Sequence, residues 1–187
     1  MPPKVKISKK DIIDTALALV RKSGESVLNA RLVAAELGCS TQPVFSNFAT
    51  MDELREAVVL AAYELYFGFL KNEAESGKYP QYKAFGMAYI RFAKEESELF
   101  KLLFMCDRNG VSITPTQDFE QSVEMIMASN GVTREKAELM HLECWACVHG
   151  IATMFATSFL NLDFDLISSM VSDVYMGIRA RHLSEEK

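Results

Sequence analysis

Ala30-Arg31-Leu32-Val33-Ala34-Ala35-Glu36-Leu37-Gly38-Cys39-Ser40-Thr41-Gln42-Pro43-Val44-Phe45-Ser46-Asn47-Phe48-Ala49 is the stretch on which the fold turns. Ala34 stands where two short helices must come close, so its small side chain is needed. Gly38, four residues on, falls in the turn between them, where a positive φ favours glycine. Val44, six further on, anchors the next helix in the core. Small, glycine and aliphatic at these offsets mark a helix-turn-helix.

On the second of these helices Val44 and Phe48 are one turn apart and face inward. That turns Gln42 and Ser46 outward, with Pro43 and Phe45 at their flanks. A glutamine amide pairs bidentately with adenine N6 and N7, and Pro43 or Phe45 suits a thymine methyl. Thr41, Asn47 and Arg31 suit phosphate oxygens, with Lys9, Lys10 and the arm's Lys4 and Lys6 as nearby candidates. The reading face is uncharged and led by glutamine.

Helical periodicity extends in both directions. Before the stretch, Ser8-Lys9-Lys10-Asp11 offers a capping box for a first helix with the apolar stripe Ile12, Ile13, Ala16, Leu17 and Val20, stopped at Gly24. Asn29 is the expected cap of the second helix and Ser40 of the third. Thr50-Met51-Asp52-Glu53 opens a long fourth helix through about Lys71. Beyond Gly77 the spacing predicts helices over roughly 80–96, 97–106, 116–129, 133–160 and 163–182, separated by turn residues such as Asn130-Gly131. The expected fold is all-α with about nine helices. Residues 1–50 are read as a helix-turn-helix DNA-binding domain and 51–187 as a helical regulatory and dimerisation domain.

Charge is divided unevenly. Residues 1–50 hold seven Lys/Arg against four acids, a net of +3; the remainder holds 13 against 21, a net of −8. A basic head on an acidic body suits a nucleic-acid contact at one end. Apolar runs are broken by charge before the roughly 18 residues of a membrane span, and Asp11 and Asp14 interrupt any signal-like segment. The chain is therefore expected in the cytoplasm, with no membrane partner and no cofactor. Its cysteines, at 39, 106, 144 and 147, are expected as free thiols.

Gly24 through Leu54, including Val33-Ala34, Leu37-Gly38-Cys39-Ser40, Phe45, Phe48 and Met51-Asp52-Glu53-Leu54, resembles the DNA-binding signature of the TetR family of repressors. The resemblance implies about nine helices and a homodimer that places two heads in successive major grooves. It also implies a larger body that senses a small molecule. Two positions depart from the family pattern. Tyrosine is usual where Phe45 stands and lysine where Met51 stands, and both commonly grip phosphates. Their absence shifts the expected phosphate grip to Arg31, the lysines and helix N-terminal amides, with a shallower salt slope.

The second half shows no catalytic constellation and no metal set. Cys144 and Cys147 form a C-x-x-C, the basis of a rival reading as an all-helical thiol or redox enzyme. A redox pair normally opens a helix after a strand, and zinc wants four ligands where His141, Cys144 and Cys147 supply three. Small helix-packing thiols are the plainer reading. Trp145, His149 and Gly150 resemble a C-terminal domain of one TetR subgroup named for Trp-His-Gly, and Phe100 through Met105 resembles a segment of the same subgroup.

Phe85, Tyr89, Phe92, Phe104, Met105, Met125, Trp145 and His149 are the pocket candidates, apolar walls with a histidine to orient a polar ligand group. Each also suits plain core packing. Ala146, Gly150, Thr153 and Thr157, small and spaced at three and four, allow a close helix approach. Ile167, Met170, Val171, Val174, Tyr175 and Ile178 add an apolar stripe on the last helix, and the two together are read as a dimer interface. The partners expected are operator DNA, a second copy and an unknown effector. A DNA-binding regulator whose body binds a protein partner is the remaining alternative.

Overall fold

The computed structural model describes residues 7–106 and 117–184. Among these, nine α-helices and a short 3-10 turn occur, and no strand. Contacts divide the chain into two compact units. One comprises Met1–Phe67 with Glu96–Cys106, the other Gly68–Glu95 with Asp107–Lys187.

In the first unit, α1 (Lys9–Ser23) begins with the capping box read from the sequence. Ser8 N–H donates to Asp11 Oδ2 (2.8 Å), and Asp11 N–H donates back to Ser8 Oγ (3.1 Å). Ile12, Ala16 and Val20 are its buried face. Gly24 ends it, donating to the Val20 carbonyl (2.7 Å), but with φ 81° and ψ 172° rather than the left-handed helical cap expected. That region of backbone space is open essentially to glycine alone.

The 3-10 turn Glu25–Val27, which periodicity did not reveal, leads to α2 (Ala30–Glu36). Asn29 Oδ1 caps α2 by accepting from the Arg31 and Leu32 amides (3.1 and 3.0 Å). α3 spans Gln42–Asn47 and α4 Met51–Glu75, a turn longer than expected. Thr41, not Ser40, is the N-cap of α3, and no side chain bonds to its amides there. At α4, Thr50 Oγ1 accepts from Glu53 N–H (3.2 Å) as expected, while the Glu53 carboxylate takes the Ala49 amide (2.7 Å) in place of the Thr50 one.

α6 (Ser97–Phe104) packs on α1. The link is electrostatic as well as apolar: Arg21 at the end of α1 grips the Glu96 carboxylate with two guanidinium nitrogens, and Glu96 is 4% exposed. Leu99, Phe100 and Leu103 supply the buried face.

The second unit holds α5 (Gln81–Glu95), α7 (Gln117–Asn130), α8 (Arg134–Ala156) and α9 (Phe164–Ser184). α5 packs on α7, α8 and α9, and α8 on α7 and α9. Two tyrosine–histidine pairs set the register of α5 and α8, which run in the same direction. Tyr82 Oη lies 3.0 Å from His141 Nδ1, and two turns on Tyr89 Oη lies 2.8 Å from His149 Nδ1. α9 runs the other way against α5. Lys83 donates to Ser168 and Ser172 Oγ (both 2.7 Å), and Arg91 stands 4.7 Å over the Phe164 ring. Val123, Ile126, Val132, Ala137 and Met140 form the α7–α8 core.

Candidate functional site

The α2–α3 connection sets where α3, the helix expected to read DNA, begins. Leu37 closes α2, Gly38 N–H donates to Ala35 O (3.1 Å), and Cys39 N–H donates to Ala34 O (2.9 Å). This crossed pair of bonds is a Schellman motif, and it needs a left-handed residue between, which Gly38 supplies at φ 65°. A Cβ at Gly38 would meet nothing within 4 Å, so backbone conformation and not crowding selects the glycine. Val33 and Ala34 below the turn are buried.

On α3, Pro43 sits in the first turn, where its missing N–H leaves no bond unmade. Val44 (0% exposed) and Phe48 (2%) are driven into the core. Gln42, Phe45 and Ser46 face outward together, Phe45 being 52% exposed. Thr41, Pro43 and Asn47 are half-buried at the margin. Two of the polar side chains are turned back onto their own helix: Ser46 Oγ donates to Gln42 O and Asn47 Nδ2 to Pro43 O, each at 2.8 Å. Such i to i−4 bonds give the hydroxyl and the amide a local acceptor on their own helix.

Arg31 is exposed in the first turn of α2, and Lys9 is exposed on α1 with its ammonium 4.8 Å over the Phe48 ring. Lys10 is tied to Asp14. Lys4 and Lys6 lie outside the described residues. Met51 is half-buried at the start of α4. Leu32, 44% exposed beside Arg31, adds an apolar side chain to this surface. Its signal is an apolar residue displaced from the buried stripe of Ala30, Val33 and Ala34.

The pocket candidates fall in both units. Phe104 and Met105 belong to the first, where the Phe104 ring lies against Tyr66, Phe100 and Tyr63 (5.1, 5.2 and 6.1 Å between centroids). Met105 is exposed. The other six are in the second. Phe92 and Tyr89 are buried, Phe85 and Met125 half-buried, and Trp145 is 40% exposed. Trp145 stacks on His149 at 4.7 Å and 22°, so Trp145, His149 and Tyr89 form one chain of contacts. Met125 instead borders an open surface recess with Gln81, Gln121, Glu124 and Ala128. Burial holds the imidazoles of His141 and His149 below the usual histidine range, which favours their neutral forms.

The Tyr82–His141 pair was not expected from sequence, although tyrosines two turns apart on one helix facing histidines at nearly the same interval on another is a legible pattern. The cysteines have the opposite of a nucleophile's setting. Burial pushes the Cys144 thiol up to about 11 and also raises Cys147. Among the described residues no group of three or more His, Cys, Asp or Glu is placed to hold a metal.

The residues read as a dimer face divide likewise. Ala146 and Thr157 are exposed, Gly150 and Thr153 half-buried. Ile167 is 0% exposed within its own chain and presents no surface to a partner. Met170, Val171, Val174, Tyr175 and Ile178 are half-buried; Tyr175 packs on Tyr82 (5.6 Å) and Ile178 against the α7–α8 core. Leu142 (55% exposed), Leu166 (50%) and Met176 (57%) stand outward instead.

Residues 82–172 match the family model described as the tetracyclin repressor-like C-terminal domain. That match does not single out the Trp-His-Gly subgroup. The chain is 22% identical over 183 residues to the uncharacterized HTH-type transcriptional regulator Rv0681 of Mycobacterium tuberculosis, covering 94% of this chain and 84% of that protein. A TetR-like transcriptional regulator from Rhodococcus sp. RHA1 has the same fold, with a TM-score of 0.67 at 14% identity over 94% of this chain and 96% of the other. A TetR family member from Streptomyces coelicolor A3 superposes with a TM-score of 0.63 at 17% identity over 88% and 96%. No helix among the described residues is long and apolar enough to cross a membrane. The chain thus joins a helix-turn-helix to a tetracyclin repressor-like C-terminal domain over residues 82–172, and along most of its length it is similar to TetR-like transcriptional regulators.

Proposed function

We propose that the protein is a cytoplasmic repressor that binds its operator as a homodimer and releases it when a small molecule occupies the body. The observation that carries the DNA half is the outward trio Gln42, Phe45 and Ser46, on a six-residue helix fixed from behind by Val44 and Phe48. Gln42 reads adenine through its amide, and Phe45 reaches a thymine methyl. Pro43 flanks the reading face, while Thr41, Asn47, Arg31 and Lys9 take phosphates. Residues 1–50 serve as the DNA-binding domain and 51–187 as the regulatory and dimerisation domain.

Dimerisation is supported by Gly150 and Gly177, two of three mid-helix glycines, with Gly68 of α4, that the single chain does not require. A Cβ at Gly150 on α8 or Gly177 on α9 would meet nothing within 4 Å. Glycine inside a helix costs about 1 kcal/mol relative to alanine. Close approach of a second chain accounts for it, with Ala146, Leu142 and Met176 nearby on the same helices. The effector site is proposed around Trp145, His149 and Tyr89, with Phe85 and Phe92 as apolar wall. Enzymatic use of Cys144 and Cys147 is disfavoured by their raised pKa values.

The test is footprinting of the purified protein on DNA upstream of its own gene, at low and moderate salt. A protected two-fold site is expected. Gln42→Ala should lose about 1–3 kcal/mol of preference for that site over unrelated DNA, with non-specific binding retained. Absence of protection at low salt would overturn the reading.

A further inference from the structure

Asn130 and Gly131 form the turn between α7 and α8, and asparagine before glycine is chemically unstable. The backbone nitrogen of such a glycine, unshielded by any side chain, can attack the asparagine Cγ. The new N–C bond closes a succinimide as the carboxamide nitrogen leaves as ammonia. Water then opens the ring to aspartate or to isoaspartate, whose backbone is one methylene longer.

Here each atom that must move is held. Asn130 Oδ1 accepts from Arg179 Nε (2.7 Å), and Nδ2 donates to Ile126 O (2.8 Å) and to Tyr175 Oη and Ser129 Oγ (both 3.0 Å). The attacking nitrogen, that of Gly131, donates to Met127 O (2.9 Å). Asn130 is also the last residue of α7, so its backbone is kept helical. Two of the clamping groups, Tyr175 and Arg179, come from α9.

We propose that Asn130 is a latent deamidation site whose reaction is held off by the docking of α9 on the α7–α8 turn. The products differ in consequence. Aspartate at 130 still accepts from Arg179 Nε and can accept from the Tyr175 hydroxyl, but it has no N–H, so the donations to Ile126 O and Ser129 Oγ are lost. Isoaspartate lengthens the chain beside the buried Val132 and displaces the clamp. Undocking of α9 is thereby written into the covalent structure.

The experiment is mass spectrometry of the peptide holding residues 130 and 131 after incubation of the full chain at mildly alkaline pH, native and in urea. In the folded protein conversion should be at least about tenfold slower than in urea, since reaction waits on local opening of packed helices. Arg179→Ala combined with Tyr175→Phe should recover most of the urea rate while far-UV circular dichroism stays native. Equal rates in the folded and urea-unfolded protein would overturn the proposal. So would a folded double variant that converts as slowly as the parent. If the double variant unfolds, Tyr175→Phe and Arg179→Lys tested singly decide by the same comparison.

Discussion

Ser158 is the one non-glycine residue with positive φ among the described residues, at 55°. It ends α8 with the same crossed bonds that Gly38 makes at the end of α2: Phe159 N–H to Met154 O (2.9 Å) and Ser158 N–H to Phe155 O (3.0 Å). A left-handed L-residue carries a penalty of roughly 1–2 kcal/mol, part of which glycine gives back through its freer unfolded chain. Ser158→Gly should therefore raise stability by about 0.5–1 kcal/mol in urea denaturation; a loss would mean that the hydroxyl makes a compensating contact. Gly24 is the reverse case. Its φ of 81° is strained for any side chain, and a Cβ would stand 2.8 Å from Glu98 Oε2. That oxygen is the tip of a flexible side chain and can swing aside, so the backbone carries the cost, and Gly24→Ala should destabilise by about 1–3 kcal/mol. Gly38→Ala, in the milder left-handed helical region, should lose about 1 kcal/mol. A Gly24→Ala protein as stable as the parent in urea denaturation would contradict the strain at φ 81°.

Among the helices, α1 and α6 are joined by a contact that spacing does not announce. Removing Arg21 leaves the Glu96 carboxylate buried without its cation. Arg21→Ala should lose about 2–3 kcal/mol, discounted from a fully buried pair because the guanidinium is half in water. Glu96→Gln, which leaves no buried charge, should lose less. The α5–α8 pairs carry a pH dependence. His141 and His149 titrate lower folded than unfolded, although Asp118 opposes part of the effect at His141. The unfolded chain binds more protons below its ordinary histidine pKa of about 6.5. Stability is thus full above that pH and lost as pH falls through the folded values. Urea midpoints should drop between neutral and mildly acid pH, and His141→Gln should flatten the drop; an unchanged slope would remove His141 as a cause. The helices themselves were legible because amphipathic faces repeat at 3.6 residues, and the capping box at Ser8 and the turn at Gly38 read true. Which helices become neighbours was not legible. Phe104 and Met105 read as pocket, yet α6 packs on α1 with Arg21 to hold it. Ile167 read as dimer surface, yet an apolar stripe does not say whether its own chain or a second one will cover it.

For the whole molecule, the two halves of the proposed mechanism meet at the dimer. One head carries a net charge of only +3 in residues 1–50, and Phe45 and Met51 supply no phosphate grip of the usual kind. A single head should then bind DNA weakly, and in the proposed homodimer operator affinity comes from joining two, the second docking at high effective concentration once the first is bound. Gly177 gives a clean test because its surroundings are open in the single chain. If α9 carries no partner there, Gly177→Glu replaces a poor helix former with a good one and should stabilise by about 0.5–1 kcal/mol. If a second copy approaches at Gly177, the same substitution drives a charge into the contact. Sedimentation should then shift to the monomer, and melting should become lower and independent of protein concentration. Operator binding should fall far more than binding to non-specific DNA. A Gly177→Glu protein that sediments as the parent does, melts higher and keeps its footprint would place the dimer contact elsewhere, or remove it.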